Sequence, residues 1–190
     1  RSKGEEMIDR KKFFTGIRSG PFPGKLTQPQ VDGLETILGE WERRELTDLR
    51  HLAYILATTF WETARTIQPI KEMGGLAYLQ SRSYYPWHGR GYVQLTWKAN
   101  YVAFRAEVLR LFNVDIVANP DNAMIPIVAA YIMFEGMHRG TFTGKSLKTF
   151  TSHTGFDWVQ ARRIINGLDK ATQIAAIAKQ FHTDLIGATE

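Results

Sequence analysis

Glu62 closes an apolar run, Ala57-Thr58-Thr59-Phe60-Trp61, and a second carboxylate, Glu72, follows ten residues later. A carboxylic acid among aromatic and aliphatic neighbours is poorly hydrated, which favours its neutral form. A neutral acid can protonate a leaving oxygen near neutral pH. A second carboxylate on the far side of the scissile bond completes what glycoside hydrolysis needs. By residue type alone both have plainer readings. Glu62 could be a charge on the solvated side of a helix, and Glu72 a loop charge paired with Lys71. Further on, Gln94 and Thr96 alternate with Val93 and Leu95. In an extended segment the two polar side chains would share one side and could line a cleft, or simply lie half exposed. Tyr84, Tyr85, Trp87, Tyr92, Trp97 and Tyr101 crowd the same region. Aromatic faces stack on the C–H surface of sugars and equally fill cores, so each ring suits cleft and core alike.

The elements that must position these groups are mostly helical. Asp9 is placed to cap a short helix to Gly16, with Phe13, Phe14 and Ile17 on its apolar side. Thr27 is a good N-cap with Pro29 in the first turn, and Val31, Leu34, Ile37, Leu38 and Trp41 follow at helical spacing. Thr47 or Asp48 opens a third helix to about Ala64, burying Leu52, Ile55, Leu56, Thr59 and Phe60. Residues 68–87 carry Pro69, Gly74-Gly75 and Pro86, which predicts irregular structure or a small sheet. Residues 92–96 suit a short strand or an extended turn. Helical pattern resumes over 98–112, Asn119-Pro120 marks a turn, and 125–135 reads as an apolar, central helix. A loop is expected over 136–144, and helices over 156–165 and 171–185.

Composition narrows the function. There is no cysteine, hence no disulfide, thiolate metal site or Cys nucleophile. The five histidines never fall at HExxH spacing, Gly89-Arg90-Gly91 lacks the third glycine of a dinucleotide loop, and GxSxG and P-loop motifs are absent. No metal and no cofactor is expected. The net charge of +5 and pI of about 9.5 favour an anionic partner. The basic residues are scattered, which argues against nucleic acid. The longest apolar stretch, 52–61, is too short to span a bilayer. The charged N-terminus has no apolar core after it and does not look like a secretory signal; residues 1–6 read as an expression remnant ahead of Met7 as the natural start.

The segment Gly89-Arg90-Gly91-Tyr92-Val93-Gln94-Leu95-Thr96-Trp97-Lys98-Ala99-Asn100-Tyr101 resembles the central signature of glycoside hydrolase family 19, which includes chitinases and many bacteriophage endolysins. Phe60-Trp61-Glu62-Thr63-Ala64 resembles the family's His-Glu-Thr helix end. Val117-Ala118-Asn119-Pro120-Asp121 resembles its Asn-Pro turn, and Arg163-Ile164-Ile165-Asn166-Gly167 its Ile-Asn-Gly segment. The likeness covers roughly residues 49–181. It implies a mostly α, lysozyme-like, two-lobed helical domain with a small irregular or β-containing lobe, and one such catalytic domain over 1–190. It also implies an inverting mechanism, with Glu62 as general acid, Glu72 as base and Thr96 helping to place the water. Sugar contacts would come from Gln94, Asn100 and Asn166, with Arg90, Tyr92 and Lys170 beside them, and Tyr101 would pack. Three departures stand out. Trp61 replaces the usual His, Ala64-Arg65 replaces a Gly-Gly that often follows the Glu, and Tyr84 stands where longer plant relatives place their second Glu.

The short, disulfide-free form resembles phage lysins. The implied activity is therefore an endolysin-type cut in the β-1,4-linked N-acetylhexosamine glycan of peptidoglycan, with chitin as the alternative substrate. A catalytically inactive wall-binding or phage structural module is the alternative outside the enzyme class. A monomer is expected. Synthesis in the cytoplasm and holin-dependent release to the wall follow from the resemblance alone.

Overall fold

The computed structural model describes residues 7–189; residues 1–6, read above as a remnant, lie outside the described part. Helix α6 (Pro126–Arg139) organises the molecule because it is apolar on two sides. Ala129, Ala130, Met133, Phe134 and Met137 join a large core with α1 (Arg10–Ile17), α2 (Gln28–Arg43), α3 (Leu49–Glu62) and α7 (Ala171–Thr189). Val128, Tyr131 and Ile132 face a smaller core with Tyr101, Phe104 and Val108 of α5 (Lys98–Phe112). A helix buried all round belongs between two layers, and α6 is that divider, as its apolar run from Ile125 suggests. Between α3 and α5 lie a two-stranded antiparallel pair, β1 (Ile70–Lys71) with β2 (Arg90–Gly91), and the short α4 (Leu76–Gln80). This is the mostly helical arrangement with a small β-containing part that the resemblance implies.

The caps are where residue chemistry puts them. Asp9 accepts from Lys12 N, Thr27 and Gln30 form a reciprocal capping box, and Asp48 rather than Thr47 caps α3; each such cap contributes about 1 kcal/mol. Helix α3 is buried more completely than its spacing suggests: Leu52 through Ala57 are all at 0% exposure. Among the described residues, no helix is long and apolar enough to cross a membrane.

Two expectations need correction and one open reading is decided. Residues 136–144 are not all loop, since α6 runs on to Arg139 and ends at Gly140, whose φ of 77° suits glycine. Gly136 lies inside this helix, and a Cβ there would meet the Phe142 ring at 2.2 Å, so the glycine makes room for that ring. The helix expected over 156–165 is instead a bridge at Thr151–Phe156, a turn, and a 3-10 helix, Gln160–Ile164. Its i to i+3 winding stacks Ala161 and Ile164 on one buried face. Of the two readings of residues 92–96 the turn holds and the strand does not: Arg90 and Leu95 pair with each other, and Gln94 turns the chain with a φ of 53°.

Gly33 shows how α2 fixes the turn that follows Glu62. A Cβ on Gly33 would sit 1.9 Å from the carbonyl oxygen of Ile67. Gln30 Nε2 donates to Arg65 O and Gln68 Nε2 to Pro29 O across the same contact. Gly33→Ala is expected to force α2 and this turn apart and lower stability by about 1–3 kcal/mol, as overpacking typically does. A urea unfolding midpoint equal to the parent's would show that the contact yields freely.

Candidate active site

Glu62 is the last residue of α3, and the chain after it is held in an unusual turn. Thr63 Oγ1 donates to Thr59 O and accepts from Ile67 N, while Arg65 N reaches back to Phe60 O. Ala64, Arg65 and Ile67 have φ of 48°, 70° and 52°, a left-handed region costly for residues with a Cβ. The first two occupy the positions where the resembling family often has Gly-Gly, so the backbone keeps a glycine-like path without glycine. Helix α3 therefore ends abruptly and presents Glu62 at its tip.

Arg162 meets that tip. Its Nη1 donates to Glu62 Oε1 at 2.6 Å, with the side chains 5% and 19% exposed. Its Nε donates to Asp169 O, the turn leading into α7. Charge-assisted bonds this short are among the stronger kind. Glu62 Oε2 takes no hydrogen bond from the described residues, so one oxygen is anchored and the other is left to act. Arg162 was not legible in the sequence. It is the first of two adjacent arginines, one hundred positions from Glu62, and only the 3-10 winding decides which of the two turns inward: Arg162 is buried and Arg163 exposed.

Glu72 follows β1 and is held by three hydrogen bonds. Its amide donates to Gly89 O at 2.7 Å, and its Oε2 accepts from Gly89 N at 2.9 Å. Oε1 accepts from the Tyr84 hydroxyl at 2.6 Å. Burial opposes ionisation of Glu72, but the bonds from Tyr84 and Gly89 and the nearby His88 and Arg82 outweigh it and hold the carboxyl below its usual value. Glu72 is thus ionised at neutral pH, as a general base must be. Lys71, expected as its partner, instead pairs with Asp121 at 2.9 Å.

The remaining sequence candidates divide. Gln94 is half buried; its Nε2 donates to Ile70 O and its side chain lies against Gly89, so it braces the strand that leads into Glu72. Thr96 donates to Gln94 O, which leaves its oxygen lone pairs free, and Asn100 Nδ2 donates to Thr96 O. The three are linked in a row, Gln94 and Thr96 in the turn after β2 and Asn100 in the first turn of α5. Asn166 and Lys170 are both exposed and lie near Arg162: Asn166 N donates to Arg162 O, and Lys170 follows Asp169. Arg90 and Tyr92 do not line a surface. Arg90 is 4% exposed and commits its guanidinium to Asp121, Pro86 O, His88 O and Tyr101. Tyr92 is 1% exposed. Their place is packing, because β2 lies under α6 and the Pro120–Met124 turn rather than at the edge. Of the crowded aromatic residues, Trp97 is 50% and Tyr85 36% exposed, while Tyr101 is fully buried, as expected of a packing residue.

No family model and no curated protein matches this sequence. Among solved structures, chitinase C from Streptomyces griseus matches with a TM-score of 0.56 at 20% identity, covering 99% of this chain and 96% of that one. The chain has the fold of that chitinase. A structure of a chitinase C mutant gives a TM-score of 0.48 at 18% identity over 94% of this chain and 96% of that one. The fold is the one that the resemblance to glycoside hydrolase family 19 implies, over essentially the whole chain.

Proposed function

We propose that this protein is a glycoside hydrolase that cleaves a β-1,4-linked N-acetylhexosamine glycan with inversion, using Glu62 as acid and Glu72 as base. The observation that carries this reading is the unequal treatment of the two carboxylates. Glu62 has one oxygen anchored by Arg162 and one free of any donor among the described residues, whereas Glu72 has both oxygens engaged, by Tyr84 and by Gly89 N. In the reaction, Glu62 gives its proton to the glycosidic oxygen, and the Arg162 guanidinium stabilises the carboxylate left behind. Glu72 takes a proton from water as that water's oxygen bonds to the anomeric carbon from the opposite face. Thr96, whose lone pairs remain free, helps place the water, and Asn100 and Asn166 contact sugar.

Peptidoglycan is the preferred substrate. The net charge is +5, and the segment bearing Arg162 and Asn166 carries exposed Lys145, Lys148, Arg163 and Lys170, for which no ion pair is recorded among the described residues. Cations around a glycan site favour an anionic wall polymer. Chitin is the second reading, favoured by the fold shared with a protein named as a chitinase. Turnover of purified peptidoglycan beside colloidal chitin tests both, and no turnover of either would overturn the enzymatic reading in favour of a wall-binding module. Binding to peptidoglycan sacculi is expected to weaken as salt rises past ~0.15 M, where the Debye length is ~8 Å. Binding to uncharged chitin oligomers should change little. Sedimentation assays across a salt series check this, and an equal response of the two ligands would remove the electrostatic account.

A further inference from the structure

We propose that Tyr84 is a positioning residue for Glu72, a hydroxyl that fixes the carboxylate and sets the pH range over which it can act as base. The proposal rests on the reading of Glu72 as the general base. Its geometric ground is a directed chain of three side chains. Arg82 Nε donates to the Tyr84 hydroxyl oxygen at 3.2 Å, and that hydroxyl donates to Glu72 Oε1 at 2.6 Å. A donor that itself accepts from a cation is polarised and donates more strongly. The bond to Glu72 in turn pushes the Tyr84 ionisation up, which keeps the hydroxyl a donor.

The ring is held independently of this bond. Trp97 packs edge-on against Tyr84 with centroids 5.3 Å apart, and the Arg82 guanidinium lies 5.5 Å from the ring centroid. Gly89 constrains the carboxylate from the other side, and a Cβ there would meet Gln94 Oε1 at 2.5 Å. Glu72 therefore sits between a main-chain amide, which side-chain changes other than proline leave in place, and one hydroxyl that a single change can delete. The other charged or titratable groups around it are Arg82 and His88. Behind His88 stand Arg90, Lys71 and Asp121, with Asp121 already paired to both of those cations. Tyr84 is thus the adjustable contact. It occupies the position where the plant relatives of the resembling family carry a carboxylate, and here it supports a carboxylate supplied from elsewhere in the chain.

Tyr84→Phe deletes the hydroxyl and keeps the ring. Carbon-13 NMR of the glutamate-labelled protein, with the Glu72 signal assigned from Glu72→Gln, reads the carboxyl titration without any need for turnover. Loss of one donor to the charged form should raise the Glu72 midpoint by about half a unit to one unit. The acid limb of kcat/KM should move to higher pH by the same amount, with kcat lowered and KM little changed. Arg82→Gln should move both in the same direction by less, and serves if the Phe variant folds poorly. A Glu72 midpoint unchanged in both variants overturns the proposal. A midpoint that moves while the acid limb stays still removes Glu72 as the base, and the catalytic meaning of Tyr84 falls with it.

Discussion

Glu62→Gln is expected to lower hydrolysis by at least ~10²–10⁴-fold, the usual contribution of general acid catalysis, while the protein stays folded. Glutamine is the right replacement because of Arg162. Its amide oxygen can still accept the Arg162 bond at the place of Oε1, so the buried guanidinium keeps a partner. Glu62→Ala would strip that partner away, and breaking a buried pair from one side costs about 3–5 kcal/mol, which would confuse lost chemistry with lost structure. The two variants should therefore separate: both inactive, but only the alanine variant with a markedly lower unfolding midpoint. Steady-state rates on the better substrate, together with thermal unfolding, decide the matter. A Gln variant that keeps more than about a tenth of the parent rate would remove Glu62 as the acid, given that expected contribution.

Glu72→Gln should cost nearly as much rate, because the amide cannot accept a proton from water. Inverting enzymes leave room for a water between base and sugar, with carboxyl groups roughly 6.5–9.5 Å apart, whereas retaining ones hold them ~5–5.5 Å apart. The product formed first from a β-linked substrate is expected to be the α-anomer, followed by proton NMR before mutarotation. The acid limb of the parent's pH profile should lie below the usual Glu range. The sign follows from the lowered folded-state value: the charged form persists above it and is lost only as pH falls through it. A β-anomer appearing first, or a Gln variant near the parent rate, would place the base elsewhere and leave Glu62 as the remaining catalytic assignment.

Helices were legible wherever a cap and a periodic apolar stripe coincided. Thr27 with Pro29, and Asp48 with Leu52 and Ile55, fixed α2 and α3 locally, because capping and amphipathicity act within a few residues. The 156–165 region failed for the opposite reason. Its apolar residues fit helical spacing, yet the chain adopts a 3-10 turn that brings Arg162 to Glu62 and Asp169 O, a requirement set by residues far away in sequence. The alternation at Gln94 and Thr96 failed similarly. Period two describes an extended chain, and a positive φ at Gln94 removes that premise.

By itself, then, the sequence determined which carboxylates merit attention, since Glu62 at an apolar helix end and Glu72 beyond a helix-breaking proline are local facts. It also determined that the molecule is built of helices around an aromatic segment. Only the tertiary structure decided how each carboxylate is held. Arg162 arrives from one hundred residues away, and Tyr84 and Gly89 reach Glu72 through a turn whose shape depends on β1 pairing with β2. Hydrogen bonds require a donor within about 3 Å in the right direction. Sequence spacing sets that distance inside a helix or a cap, but not between segments joined only by the packing of a core.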